Sequence, residues 1–129
     1  MSELPAELIG AWRLISLEDR LREHDEWHAS MGKTPAGLLM CDASGAVSVQ
    51  VYGSRGGGEH DYIGYFGIAR ITGLMHGYDD VSGTLYVDLQ GGYPPAVLDD
   101  RGGRPFHIRE DVMILGDRRT WQRMLIRIR

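Results

Sequence analysis

Trp12, Leu14 and Ser16 alternate with Ala11, Arg13, Ile15 and Leu17 near the start of the chain, and this period of two predicts a strand. Residues 37–41 and 46–52, joined by Asp42-Ala43-Ser44-Gly45, read as a hairpin. In its second arm Val47, Val49 and Val51 form one face, and Ser48, Gln50 and Tyr52 the other. Further strand candidates are 61–72, 84–90, 105–109, 112–115 and 119–129, with 74–78 as a shorter one. Ahead of them, 3–9 fits a single helical turn with Pro5 in its first turn. The charged and aromatic stretch 18–34 has no steady period and reads either as a long loop or as a short strand around 26–29. Strands this short at this spacing predict an all-β, antiparallel sandwich or barrel in one domain over residues 1–129.

Composition narrows the setting. Glycine, at 18 of 129 residues, is about double its usual share of ~7% and clusters at turn-like places such as Gly56-Gly57-Gly58, Gly91-Gly92 and Gly102-Gly103. A formal charge of −4 argues against a nucleic-acid partner. The single cysteine, Cys41, allows no internal disulfide. No charged-then-apolar leader opens the chain and no apolar run approaches 18 residues, so the expectation is a cytoplasmic protein with no membrane contact. The stretch 54–59 is expected to be a mobile gate beside a barrel mouth, because consecutive glycines maximise backbone freedom.

Familiar catalytic and metal patterns fail one by one. His24 and His28 have helical ligand spacing, yet they lie among Asp25, Glu26 and Trp27 without the glutamate placement of a zincin, and read as a solvated loop. His60, His76 and His107 stand alone in sequence. No Gly-x-Ser-x-Gly elbow is present, and Cys41 follows Leu38-Leu39-Met40, where a buried, inert thiol is expected. Gly56-Gly57-Gly58 lacks the Lys-Ser/Thr ending of a phosphate loop. Neither a metal nor a cofactor is expected.

The order of pieces resembles the bacterial and fungal lipocalin-like domain family, a small intracellular branch of the calycin barrels. The likeness runs through Leu8-Ile9-Gly10-Ala11-Trp12-Arg13-Leu14, Pro35-Ala36-Gly37-Leu38-Leu39, Ser48-Val49-Gln50, Tyr62-Ile63-Gly64-Tyr65-Phe66-Gly67, the segment 95–104 and Glu110-Asp111. It implies an up-and-down β-barrel that takes a small, mostly apolar molecule such as an intermediate of secondary metabolism, with no fixed catalytic set. A Gly-x-Trp opening answered by Trp121-Gln122-Arg123 is similar to the way such barrels seal one end, which implies Arg123 over Trp12, with Arg127 as the fallback. The chain departs from the pattern at Cys41 and Ala46, where members often carry aromatic residues, and at Asp88, near where they carry a histidine.

The remaining candidate site is a polar constellation inside such a barrel. Because alternate residues point inward, either the valines of 46–52 fill the interior or Ser48, Gln50 and Tyr52 face it. The family pattern inclines the reading to the polar face. Tyr65, Gly67 and Ala69 share a face on the next stretch, and the small residues leave room beside Tyr65. Tyr62, Gln90, Met40 and Met113 complete the ligand-binding candidates. If Asp88 is buried it needs a partner from Arg104, His107 or Arg70. The leading expectation is a binder of a small apolar ligand. The alternatives are a cofactor-free isomerase or cyclase, with Asp88 or His107 as acid/base and Tyr65 or Tyr52 polarising an oxygen, and a self-filled barrel whose outer face makes a homodimer.

Overall fold

The computed structural model describes residues 4–54 and 58–129. Eight strands form one closed antiparallel barrel: β1 (Gly10–Asp19), β2 (Ala36–Cys41), β3 (Ala46–Ser54), β4 (His60–His76), β5 (Asp80–Tyr93), β6 (Arg104–Arg109), β7 (Val112–Leu115) and β8 (Trp121–Arg127). Each strand pairs with the next, and β8 returns to pair with β1. Closure leaves no open sheet edge, which is how an all-β chain avoids pairing with its neighbours. Among the described residues helix is confined to a 3-10 turn at Pro95–Asp99; a tight turn precedes β1, where the Leu8 and Ile9 amides bond to Pro5 and Ala6 carbonyls at 2.9 and 3.2 Å. Among the described residues no helix is long and apolar enough to cross a membrane.

The hairpin from β2 to β3 turns as its sequence predicts. Gly45 adopts φ +98°, its amide bonds to the Asp42 carbonyl at 3.0 Å, and the Ser44 hydroxyl donates to the Asp42 carboxylate at 2.6 Å. Two strands are longer than their periodicity suggests. The candidates at 61–72 and 74–78 are one strand, β4, because Gly73 at φ +63° absorbs a register shift between Thr72 and Met75 that breaks the alternation. In β1 a shift between Leu14 and Ser16 turns Leu17 inward, onto the face that Leu14 shares with Trp12. The stretch 26–29 contributes only a single bridge, His28 to Asp19.

Cross-strand register fixes which residues face the interior, since residues directly opposite lie on one face. Val49 is opposite Leu39, which is buried, and also opposite Tyr65. Ser48 is opposite Met40 and Phe66, both exposed. The valines of β3 therefore point in and Ser48, Gln50 and Tyr52 point out, against the sequence-based inclination. Burying Val47 and Val51 removes apolar surface from water without stranding a hydroxyl or an amide.

The two ends of the barrel differ. At the end where β1 begins and β8 finishes, Trp12 and Leu8 are fully buried beside Leu4, and the indole N–H donates to the Leu8 carbonyl at 3.0 Å. Arg127 lies over the indole at 4.2 Å and donates to the Ile9 carbonyl at 2.8 Å and to that of Glu7. Gly10 sits at φ +129°, and a Cβ there would come within 3.1 Å of the Arg127 guanidinium, which accounts for the glycine two residues before Trp12.

The expected closure by Arg123 is corrected to Arg127. In an antiparallel pair the start of one strand meets the end of the other, and the register places Trp12 opposite Arg127 and Leu17 opposite Arg123. Arg123 is at the other end, with its guanidinium over Trp121 and 3.2 Å from the Asp19 carboxylate.

Candidate functional site

At that other end the barrel is open. A cavity of about 600 Å³ enters between the end of β1, the 95–103 connection and the 116–120 turn, and runs into the interior. Its walls are mainly apolar, from Leu14, Leu39, Val49, Ile63 and Leu125, and Trp121 stands at its mouth. At this end the barrel interior is thus not filled by its own side chains. The 20–35 connection is anchored beside this end: Met31 is buried, and its carbonyl accepts the Ser54 amide at 3.2 Å. A Cβ on Gly53 would fall 2.1 Å from that carbonyl oxygen, so only glycine lets the two segments approach. Within the mouth turn, burial works against ionisation of Asp117, but amides of Thr120, Arg119 and Trp121 and the Thr120 hydroxyl hold its carboxyl down at about 2. The predicted gate at 54–59 has its centre, 55–57, outside the described residues.

The polar chemistry of the cavity is concentrated on Arg104 and Tyr65. Arg104 begins β6 on the same face as Phe106 and Ile108, and all three are buried. Its Nε–H donates to the Tyr65 hydroxyl at 3.1 Å, Nη1 to the Gly102 carbonyl at 3.0 Å and Nη2 to the Asp100 carboxylate at 3.4 Å. Burial pushes the Tyr65 phenol above its ordinary value, with the Arg104 charge opposing that rise in part, so the hydroxyl is neutral at physiological pH. Arg123 and Asp19 form a second, half-buried pair on the rim.

The other candidates do not gather there. Asp88 is exposed, opposite the outward Ile68, and no arginine or histidine partners it, among the described residues, in a hydrogen bond or ion pair. It is not a buried general base. The physical reason is again register: Val87, opposite Ala69, takes the inward place, and Asp88 must take the outward one. His107 alternates with the buried Phe106 and Ile108 and so points outward, where its Nε2 lies 2.8 Å from Asp80. Its surroundings are a separate outer groove of about 310 Å³, away from Tyr65.

Tyr52 and Tyr62 are exposed; Tyr52 stacks on His60 at 5.0 Å and Tyr62 tilts against Tyr93. Met113 is fully buried in the core and does not line the cavity. Met40, Ser48 and Gln90 meet instead around an outer groove of about 550 Å³ beside Phe66 and Ile68. Gln50 borders the interior cavity while remaining exposed at its edge. The room expected beside Tyr65 is not made by Gly67: a Cβ there would lie 2.1 Å from the Asp88 carbonyl, so that glycine serves close strand packing. Among the described residues no cluster of three or more histidine, cysteine or acidic side chains converges as a metal site. Burial pushes the Cys41 thiol up to about 12, which leaves it protonated and unreactive at neutral pH.

Sequence reasoning missed Arg104 as a cavity residue. The signal was present, because Arg104, Phe106 and Ile108 share one face at a period of two, and a cation in step with two core residues is a candidate for burial. Comparison of the chain with family models, with curated proteins and with solved structures finds no match.

Proposed function

We propose that the protein binds a small, mostly apolar molecule inside the barrel. The observation that carries this reading is the cavity of about 600 Å³, apolar in its depth and open at one end, a size within the roughly 300–1,000 Å³ of small-molecule sites. Its opposite end is plugged by Trp12, Leu8 and Leu4, so that a ligand enters and leaves by one mouth. The Gly10-Ala11-Trp12 opening with an arginine over the indole fits the same reading, as the sealed end of a ligand barrel. A binder needs shape and apolar wall more than it needs an acid and a base, and the cavity supplies the former.

N-phenyl-1-naphthylamine, a neutral apolar fluorophore, tests this. It is expected to saturate a single site per chain. Val49→Trp, which fills the cavity from the middle of β3, is expected to weaken that binding by about ten-fold or more, or roughly 1.4 kcal/mol. Unsaturable binding, or binding that Val49→Trp leaves unchanged, would place the probe on the outer surface and overturn the reading.

A further inference from the structure

We infer that the ligand carries a carboxylate, and that Arg104 and Tyr65 hold it. This rests on the interior-binding reading and adds the head group to it. Three observations lead there. Arg104 is the one buried charged residue among the described residues, yet its carboxylate partner Asp100 is largely solvent-exposed, at 63%, and stands at 3.4 Å. A buried guanidinium whose counter-charge is a solvent-exposed carboxylate at the long end of hydrogen-bond distance keeps part of its attraction for an anion. The other charged groups on the cavity wall are Asp19, Arg20 and Arg123, so that with Arg104 and Asp100 the wall holds three cations against two anions. That excess is opposite in sign to the chain as a whole, which is −4.

The hydrogen-bond inventory points the same way. A guanidinium has five N–H donors, and among the described residues Arg104 uses one on each nitrogen, which leaves one on Nη1 and one on Nη2. The Tyr65 oxygen accepts from Arg104, so its own O–H is still to be donated, and burial keeps that proton in place. Two N–H groups and a neutral phenol beside an apolar cavity suit a group with two acceptor oxygens and one negative charge. An alcohol offers no charge to the guanidinium. An ammonium is repelled by it. The apolar wall from Leu14, Leu39 and Val49 takes the hydrocarbon part.

Displacement of N-phenyl-1-naphthylamine from the whole protein at pH 7.5 by decanoate, decan-1-ol and decylamine separates this inference from the broader one. The wild type is expected to bind decanoate roughly 10- to 100-fold more tightly than decan-1-ol, the range of a charge-assisted hydrogen bond, with decylamine weakest. Arg104→Met is expected to bring the ratio of decanoate to decan-1-ol close to one, and Tyr65→Phe to lower it by roughly ten-fold, the worth of one hydrogen bond to a charged group. Should Arg104→Met fail to fold, the wild-type series and Tyr65→Phe decide. Equal affinities for decanoate and decan-1-ol in the wild type, with the probe bound, would overturn the carboxylate alone. A preference that survives both substitutions would overturn the assignment to these two residues. Failure of the probe to bind at all would remove the interior site and this inference with it.

Discussion

Trp12→Ala is expected to lower the free energy of unfolding by about 3–5 kcal/mol, the cost of emptying a fully buried large aromatic site. Trp12 is 0% exposed, and the indole meets three sets of neighbours. Its N–H satisfies the Leu8 carbonyl, its face lies under Arg127, and its flank closes the barrel beside Leu4 and Leu8. Alanine would leave a void at the plugged end, strand that carbonyl and uncover the guanidinium. Against a native stability of about 5–15 kcal/mol for domains of this kind, that is a loss of about a fifth or more. Urea denaturation followed by far-ultraviolet circular dichroism checks this, and a loss below about 1 kcal/mol would mean that the indole is not the plug.

Arg127→Ala is expected to cost about 2–4 kcal/mol, the sum of a cation–π contact and lost hydrogen bonds from a charged donor. Its guanidinium joins the segment before β1 to the last strand through the Ile9 and Glu7 carbonyls, and Asp111 is within 3.6 Å. Arg123→Ala provides the contrast. Arg123 also has a ring and a carboxylate, but Asp19 is more than a third exposed and the contact is on the open rim, where ion pairs contribute roughly 0–1 kcal/mol. A double-mutant cycle between Trp12 and Arg127 should return a coupling of about 0.5–2 kcal/mol. A larger loss for Arg123→Ala than for Arg127→Ala would return the closure to the wrong end of β8.

That contrast shows what the amino-acid sequence carried and what it did not. The alternation of Trp12 and Leu14, the turn at Asp42-Ala43-Ser44-Gly45 and the run of short strands sufficed for an all-β antiparallel sandwich or barrel, because turn chemistry and a period of two are local properties, and only the resemblance pointed to the barrel. Register is not local. Whether β3 buries its valines or its polar residues depends on which face of β2 and β4 lies opposite, and Ser48, Gln50 and Tyr52 went outward once Leu39 and Tyr65 were inside. Bulges hid more: the shift after Leu14 reverses the face of Leu17, and Gly73 splits the apparent period of β4. Asp88 and His107 fell outside for the same reason, each next to an inward residue, Val87 and Phe106. Arg104 is one of three sequence candidates, with His107 and Arg70, to partner a buried Asp88, whereas the side chain it meets across the barrel is Tyr65, 39 residues away in sequence. Only pairing of β4 to β5 and β5 to β6 brings that contact about.

The central claim is that ligand occupies the inside of the barrel, and methyl-resolved nuclear magnetic resonance on addition of decanoate tests it most directly. Inward methyl groups of Leu14, Leu39, Val49, Ile63 and Leu125 line the cavity, and outward ones of Ile15, Ile68, Ile126 and Ile128 are exposed. The account predicts saturable shifts confined to the inward set. Shifts at Ile68 and Ile126 with the inward set unmoved would place binding on the outer face and contradict it.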